Sequence, residues 1–150
     1  MHKAQRKGLI VTFVIYICLI TYFILVKNPS FFMQQVSDIR WEKIEHESRR
    51  VSLTPFKTTA WYLKGKMGFW PAVENVGGNF FGFIPLGIFL PLLFAKCRKL
   101  FITFLIAFSI SLFFETFQLI TLVGHFDVDD LILNTLGATA GFLTFKLLFK

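Results

Sequence analysis

Residues 101–149 read FITFLIAFSISLFFETFQLITLVGHFDVDDLILNTLGATAGFLTFKLLF, and two long apolar runs within them set the architecture of the chain. The runs extend over Leu100–Val123 and Leu131–Phe149. Each is long enough for a transmembrane helix, since about 20 residues at a rise of ~1.5 Å cross ~30 Å of hydrocarbon. Where the runs approach each other they carry polar residues that a lipid-facing helix avoids: Glu115, Gln118, Asp127, Asp129, Asp130 and Asn134.

The composition of the whole chain is that of an integral membrane protein. It is 55% hydrophobic and 18% aromatic, with a mean hydropathy of +0.62, which departs strongly from the balance of a soluble domain of similar size. Two further apolar runs, Gly8–Val26 and Val76–Ala95, also have the length of a span. The sequence therefore predicts an all-α, polytopic membrane helix bundle with about four transmembrane helices.

The predicted organisation has three parts. Residues 1–26 form a cytoplasmic N-terminus and a first anchor, residues 27–75 an extracytoplasmic interfacial segment, and residues 76–150 a three-helix membrane core. A signal peptide is the weaker interpretation of the first run, because the run is too long and is followed by Val-Lys-Asn-Pro rather than by a small-residue cleavage site. Tryptophan and phenylalanine recur along residues 27–75, as expected of a chain at the headgroup level.

Basic residues near the span ends predict the orientation. They cluster before the first span, between the second and third spans, and at the end of the fourth: Lys3, Arg6, Lys7, Lys96, Arg98, Lys99, Lys146 and Lys150. The positive-inside rule places these clusters, and both termini, in the cytoplasm. Residues 27–75 carry eight Lys or Arg of their own, but these are spread over a longer segment and offset by five acidic residues.

Polar residues of three spans are predicted to meet in the outer leaflet. At helical rise, Asn79 and Asn134 lie roughly 5 Å inside their spans. Gln118 and Glu115 lie roughly 8 and 12 Å inside theirs, and their spacing places them on one helix face. A carboxyl group costs at least a few kcal/mol when it faces lipid, so Glu115 is expected to face protein, water or a ligand.

A second polar stripe and a basic pair complete the candidate site. Asp127, Asp130 and Asn134 share a helix face if the fourth helix extends back through the preceding loop. Arg49 and Arg50 precede an extended, proline-containing segment, and a guanidinium group at this surface suits a phosphate or a carboxylate. The candidate ligand-binding cluster comprises Arg49, Arg50, Asn79, Glu115, Gln118, Asp127, Asp130 and Asn134.

The second span is rich in residues that disturb a helix. Pro85 removes a backbone hydrogen bond, so a carbonyl group in the preceding turn needs another partner or the helix bends. Gly78 and Gly82 are four residues apart, as are Gly137 and Gly141 in the fourth span. Such pairs of small residues predict close packing between helices.

Three ordered motifs carry a family resemblance. They read GNFFGFIPLG at residues 78–87, ETFQ at residues 115–118 and FDVDDLILNTLG at residues 126–137. Together they resemble the VanZ-like family of small bacterial membrane proteins over about residues 50–145, with the first span as an extra anchor. Arg50–Phe56 is similar to a further family element, with Ser52 or Thr54 where an Asn is usual. His125 stands near the position at which many relatives carry an Arg.

The resemblance implies a place in the bacterial cell membrane. The family is named for an accessory protein of teicoplanin resistance, and glycopeptide antibiotics act at the outer surface of that membrane. The preferred hypothesis is a non-catalytic module that binds or remodels a lipid-linked cell-wall precursor or a lipoglycopeptide at the outer leaflet. In that module Arg49 or Arg50 would hold a phosphate or carboxylate, and the polar groups of the spans would hold the headgroup.

Two alternatives remain at this level. One is an intramembrane enzyme acting on a lipid or a lipid-linked phosphate, with Mg²⁺ or Mn²⁺ on a weakly indicated set of oxygen ligands: Glu115, Asp127, Asp129 and Asp130. The other is a structural network in which Asp130 and Asn134 bond Glu115 and Gln118 across the helices. Acidic residues at a helix start also stabilise the helix dipole, which weakens the metal hypothesis.

The motifs disfavour catalysis. The sequence has no Ser-His-Asp arrangement near the cluster, no glycine-rich phosphate loop and no HExxH. Cys18 lies in mid-span and Cys97 in a turn, so neither a disulfide nor a thiolate metal site is indicated. The expected partners are membrane lipids rather than nucleic acid, and no cofactor is predicted apart from the weak Mg²⁺ or Mn²⁺ site.

Overall fold

The computed structural model describes residues 3–25, 51–66, 68–121 and 123–149. In this part of the chain four long helices, α1 (Lys3–Leu25), α3 (Phe69–Leu93), α4 (Leu100–Ile120) and α5 (Val128–Leu148), are apolar and long enough to cross a membrane. A short helix, α2 (Lys57–Leu63), precedes α3, and two short strands are present, β1 (Val51–Ser52) and β2 (Phe126–Asp127). The predicted all-α membrane bundle is confirmed.

Helices α3 and α5 form the centre of the bundle because glycine lets their backbones touch. A Cβ atom added at Gly137 would lie 2.0 Å from the Phe80 carbonyl oxygen, and one added at Gly141 would lie 2.0 Å from that of Ile84. Gly87 of α3 is equally close to the backbone of α5. The close packing predicted for Gly137 and Gly141 is confirmed.

The same prediction is wrong for the glycine pair in α3. Within the described residues, a Cβ atom added at Gly78 would meet nothing within 4 Å, and one added at Gly82 would make ordinary contact with Ile20 of α1. Gly82 instead offers its carbonyl oxygen to the Tyr16 hydroxyl, which donates a hydrogen bond of 2.9 Å. This bond joins α1 to α3 in the turn before Pro85, where the proline disturbs the backbone ladder.

The segment before α5 is extended rather than helical. Strand β2 pairs in parallel with β1, with Val51 opposite Phe126 and Ser52 opposite Asp127. Helix α5 begins only at Val128, and Asp127 is its N-cap. The helix does not extend back through Gly124, so the condition under which Asp127 would share a helix face with Asp130 and Asn134 is not met. The backbone of this segment pairs instead with a distant strand that spacing along the chain does not reveal.

A wide turn interrupts the start of α3. Residues Val73–Gly77 form a π-helical turn between two α-helical pieces. Such turns bulge the backbone and are frequent at functional sites. Here the turn lies where α1 and α4 end and where α5 begins, so it helps to open a space between the helices at this end of the bundle.

Candidate functional site

A cavity of about 1450 Å³ lies at the end of the bundle where the polar residues were predicted to meet. One wall is apolar and comes from α1, through Leu19, Ile20 and Phe23. The other walls carry the polar side chains of α3, α4, the β2 segment and α5: Asn79, Glu115, Gln118, Asp127, Asp130 and Asn134. The structure thus brings together six of the eight predicted cluster residues. Arg49 and Arg50 lie outside the described residues.

Glu115 faces the protein interior and not lipid. Its side chain is only 2% exposed. Its Oε2 atom accepts a hydrogen bond of 2.9 Å from the backbone N–H of Asp127. This hydrogen bond therefore connects α4 to strand β2, which precedes α5, and holds the Glu115 carboxyl group at the cavity.

The aspartates at the start of α5 cap two helices. Asp127 Oδ1 accepts a hydrogen bond of 2.9 Å from the Asp129 N–H, which is the usual N-cap contact. Asp129 in turn accepts hydrogen bonds from the N–H of Phe56 through Oδ1 and of Thr59 through Oδ2. The second carboxylate thereby caps the start of α2 and docks that helix against α5.

The sequence did not predict this role of Asp129. Its partners lie 70 and 73 residues away in the chain, so no local spacing signals the contact. The docked helix brings Lys57, Trp61 and Tyr62 to the cavity wall, and the sequence did not predict these lining residues either.

Burial raises the pKa of the Tyr62 hydroxyl, and the charges of Asp130 and Asp127 raise it further.

The predicted metal ligands do not form a coordination group. Within the described ranges, no three His, Cys, Asp or Glu side chains are arranged to hold a metal ion. Both carboxylate oxygens of Asp129 accept backbone hydrogen bonds, and Asp127 and Glu115 each use one oxygen in the same way. Glu115, Asp127 and Asp129 thus bind backbone N–H groups, and together with Asp130 they do not form a group that could hold a metal ion.

Asn134 lines the cavity and has an acceptor atom without a partner among the described residues. Its side chain is 2% exposed, and its Nδ2 group donates a hydrogen bond of 2.8 Å to Ser111 Oγ. Its Oδ1 atom has no hydrogen-bond partner in the described part of the chain. Ser111 was not predicted, although it lies one helical turn before Glu115 and therefore on the same face of α4.

Gln118 has a structural partner. Its Nε2 group donates a hydrogen bond of 2.9 Å to the carbonyl oxygen of Ile24, at the end of α1, and its side chain packs against Gly124. Asn134 of α5 bonds Ser111 of α4, so the hydrogen bonds of the Gln118 and Asn134 amide groups go to Ile24 and Ser111.

Two more polar atoms at the cavity lack partners among the residues that the structure describes. They are Asn79 Nδ2, a donor, and Ser52 Oγ, which can donate or accept. Most buried polar groups in folded proteins are hydrogen-bonded, so several orphans around one space are unusual. Together with Asn134 Oδ1, they give the cavity hydrogen-bonding capacity that atoms of the described residues do not use.

Comparison with known proteins identifies the family. No curated protein and no solved structure matches the chain significantly. The family model described as VanZ/LLP1 matches residues 13–149. The match extends beyond the resemblance at residues 50–145 and takes in most of α1, consistent with the contribution of that helix to the cavity wall. This multi-pass membrane protein therefore belongs to the VanZ/LLP1 family.

Proposed function

We propose that the protein binds or remodels an amphiphilic ligand at the outer leaflet, either a lipid-linked cell-wall precursor or a lipoglycopeptide, and so contributes to teicoplanin-type resistance. The observation that carries the proposal is the buried Oδ1 atom of Asn134, which has no partner in the described part of the chain, at a cavity of about 1450 Å³. A cavity of this size exceeds the range of ordinary small-molecule pockets, as a ligand with a bulky headgroup and an acyl chain requires.

The walls of the cavity suit a ligand of mixed character. An unsatisfied buried acceptor costs about 1–3 kcal/mol, and a ligand that donates to Asn134 recovers this free energy. The apolar side chains of α1 offer a surface for an acyl chain, since burying each CH₂ group contributes ~0.8 kcal/mol. The headgroup would then lie among Asn79, Glu115 and Asn134, with the chain beside Ile20 and Phe23.

The proposed orientation places the cavity outside. The cavity lies where α1 and α4 end and where α3 and α5 begin. The basic clusters that follow the positive-inside rule lie at the other helix ends, near Lys7, Lys96 and Lys146. With these in the cytoplasm, the cavity opens at the outer leaflet, where Arg49 or Arg50 is expected to hold a phosphate or carboxylate of the ligand.

Mass spectrometry of lipids and lipoglycopeptides retained by the detergent-purified protein tests the proposal. We expect a retained amphiphile that Asn134→Leu loses at least tenfold, because one buried hydrogen-bonded group contributes about 1.4 kcal/mol or more. Arg50→Ala is expected to weaken retention as well. Thr144→Val is the matched control, since Thr144 lies on the same helix, bonds its own backbone and does not line the cavity.

Teicoplanin susceptibility of cells expressing these variants supplies the second measurement. Cells with the wild type or Thr144→Val are expected to tolerate more teicoplanin than cells with Asn134→Leu at equal abundance in the membrane. Equal retention and equal susceptibility for Asn134→Leu and Thr144→Val would overturn the proposed function.

A further inference from the structure

The described cavity wall carries more acidic than basic side chains. Glu74, Glu115, Asp127 and Asp130 line the cavity, whereas Lys57 is the one Lys or Arg among its described lining residues. Lys57 is exposed, and Glu115 and Asp127 are buried. The inner part of the cavity is therefore acidic, and its single described cation lies at the rim. Like charges close together are unfavourable, so an anionic group does not suit the inner part.

The unpartnered atoms of Asn134 and Asn79 differ in hydrogen-bonding character. The orphan atom of the buried residue Asn134, Oδ1, is an acceptor and requires a donor. The orphan donor, Asn79 Nδ2, belongs to a half-buried residue at the start of α3, on a different wall from Asn134. A ligand in this cavity therefore needs a hydrogen-bond donor for the buried acidic part and can place acceptors towards Asn79 and Lys57.

We propose that the ligand carries an ammonium group, which enters the acidic part of the cavity and donates to Asn134 Oδ1 beside Glu115 and Asp130. The phosphate, ester or carbonyl oxygens of the same amphiphile face Asn79 and Lys57. This assignment rests on the proposed function and specifies the ligand as an amine-bearing amphiphile. A primary ammonium group has three N–H donors and a full charge, so it satisfies the orphan acceptor and the acidic side chains together.

Short-chain phospholipids with one acyl composition provide the probes. Binding of phosphatidylethanolamine, phosphatidylcholine and phosphatidylglycerol to the full-length purified protein is measured by native mass spectrometry. We expect phosphatidylethanolamine to bind about tenfold more tightly than phosphatidylglycerol, since a charge-assisted hydrogen bond contributes roughly 1.5–3 kcal/mol. Phosphatidylcholine is expected to bind more weakly than phosphatidylethanolamine, because its quaternary ammonium has no N–H donor.

Two substitutions test the acidic part of the cavity. Glu115→Gln keeps an oxygen that can accept from the Asp127 N–H but removes the carboxyl group that can pair with an ammonium, so it is expected to reduce the preference for phosphatidylethanolamine to about threefold or less. Asn134→Asp adds a carboxylate beside the proposed ammonium and is expected to increase the preference. Thr144→Val is expected to leave it unchanged. If Glu115→Gln does not fold, the phospholipid preference of Asn134→Asp tests the ammonium assignment instead.

The source of the ammonium group is distinguished by competition. An amine-bearing lipoglycopeptide and its N-acetylated form are tested as competitors of phosphatidylethanolamine. If the lipoglycopeptide with the free amine competes more strongly than its N-acetylated form, the antibiotic is a source of the ammonium group. If both forms compete equally weakly, the source is a lipid. Either result supports an ammonium ligand, provided that the protein prefers phosphatidylethanolamine.

The two proposals fail in different ways. If the three phospholipids bind equally and Asn134→Leu abolishes the binding of all three, the cavity is a ligand site but the ammonium assignment is overturned. If no amphiphile binds in a manner that depends on Asn134, both proposals are overturned.

Discussion

At the scale of single residues, the packing of α3 against α5 depends on the absence of side chains at three glycines. Sequence spacing identified Gly137 and Gly141 but also suggested Gly78 and Gly82, which do not pack against another helix backbone among the described residues. Spacing reports which residues share a helix face. It does not report which neighbour that face meets, so only the structure separates the two pairs.

The glycines therefore give a matched pair of substitutions. Gly141→Ala places a Cβ atom 2.0 Å from the Ile84 carbonyl oxygen and is expected to lower the free energy of unfolding by about 1–3 kcal/mol. Gly78→Ala adds its methyl group to open space in the described part of the chain and is expected to cost far less. Thermal unfolding in detergent, followed by size-exclusion chromatography, measures the difference. Equal melting temperatures would contradict the packing of α3 on α5.

At the scale of elements, α2 is held in place by a carboxylate from another helix. Seven residues are too few to form a stable isolated helix in water, so α2 needs contacts from outside itself. Asp129 supplies two of them, to the N–H groups of Phe56 and Thr59. The sequence indicated a charged residue at the start of α5 but not the helix that it caps.

Asp129→Ala is expected to release α2. Loss of a cap costs ~1–2 kcal/mol, so the amides of Phe56 and Thr59 should exchange with solvent roughly 5- to 30-fold faster. Hydrogen exchange with mass spectrometry measures this over residues 53–66. Asp129→Asn keeps one acceptor oxygen and is expected to give a smaller increase. Unchanged protection of these residues in Asp129→Ala would show that other contacts hold α2.

At the scale of the whole molecule, the proposed function requires the cavity to face the outside of the cell. The two ends of the bundle differ in charge pattern, with the exposed basic turn Ala95–Arg98 at one end and α2 at the other. Opposite ends of a transmembrane bundle meet different aqueous phases. Labelling of exposed positions at the two ends therefore reads the orientation directly.

Two single cysteines at exposed positions test the orientation. In intact cells, Lys66→Cys is expected to react with a membrane-impermeant maleimide, whereas Lys96→Cys is expected to react only after permeabilisation. The native Cys97 gives a low background, since it is 4% exposed and burial raises the pKa of its thiol. Because the thiolate is the reactive form, a raised pKa slows labelling at neutral pH. Reversed labelling would place the cavity in the cytoplasm.

The sequence by itself determined the class of fold, the existence of the spans and the residues that gather at one end of them. These follow from hydropathy, span length and helical spacing, which act locally along the chain. Only the tertiary structure decided the partners: Glu115 with the Asp127 backbone, Asn134 with Ser111, Gln118 with Ile24 and Asp129 with α2. A polar group inside a membrane protein needs a hydrogen-bond partner because lipid offers none. Which group becomes that partner depends on distances between elements that are remote in sequence.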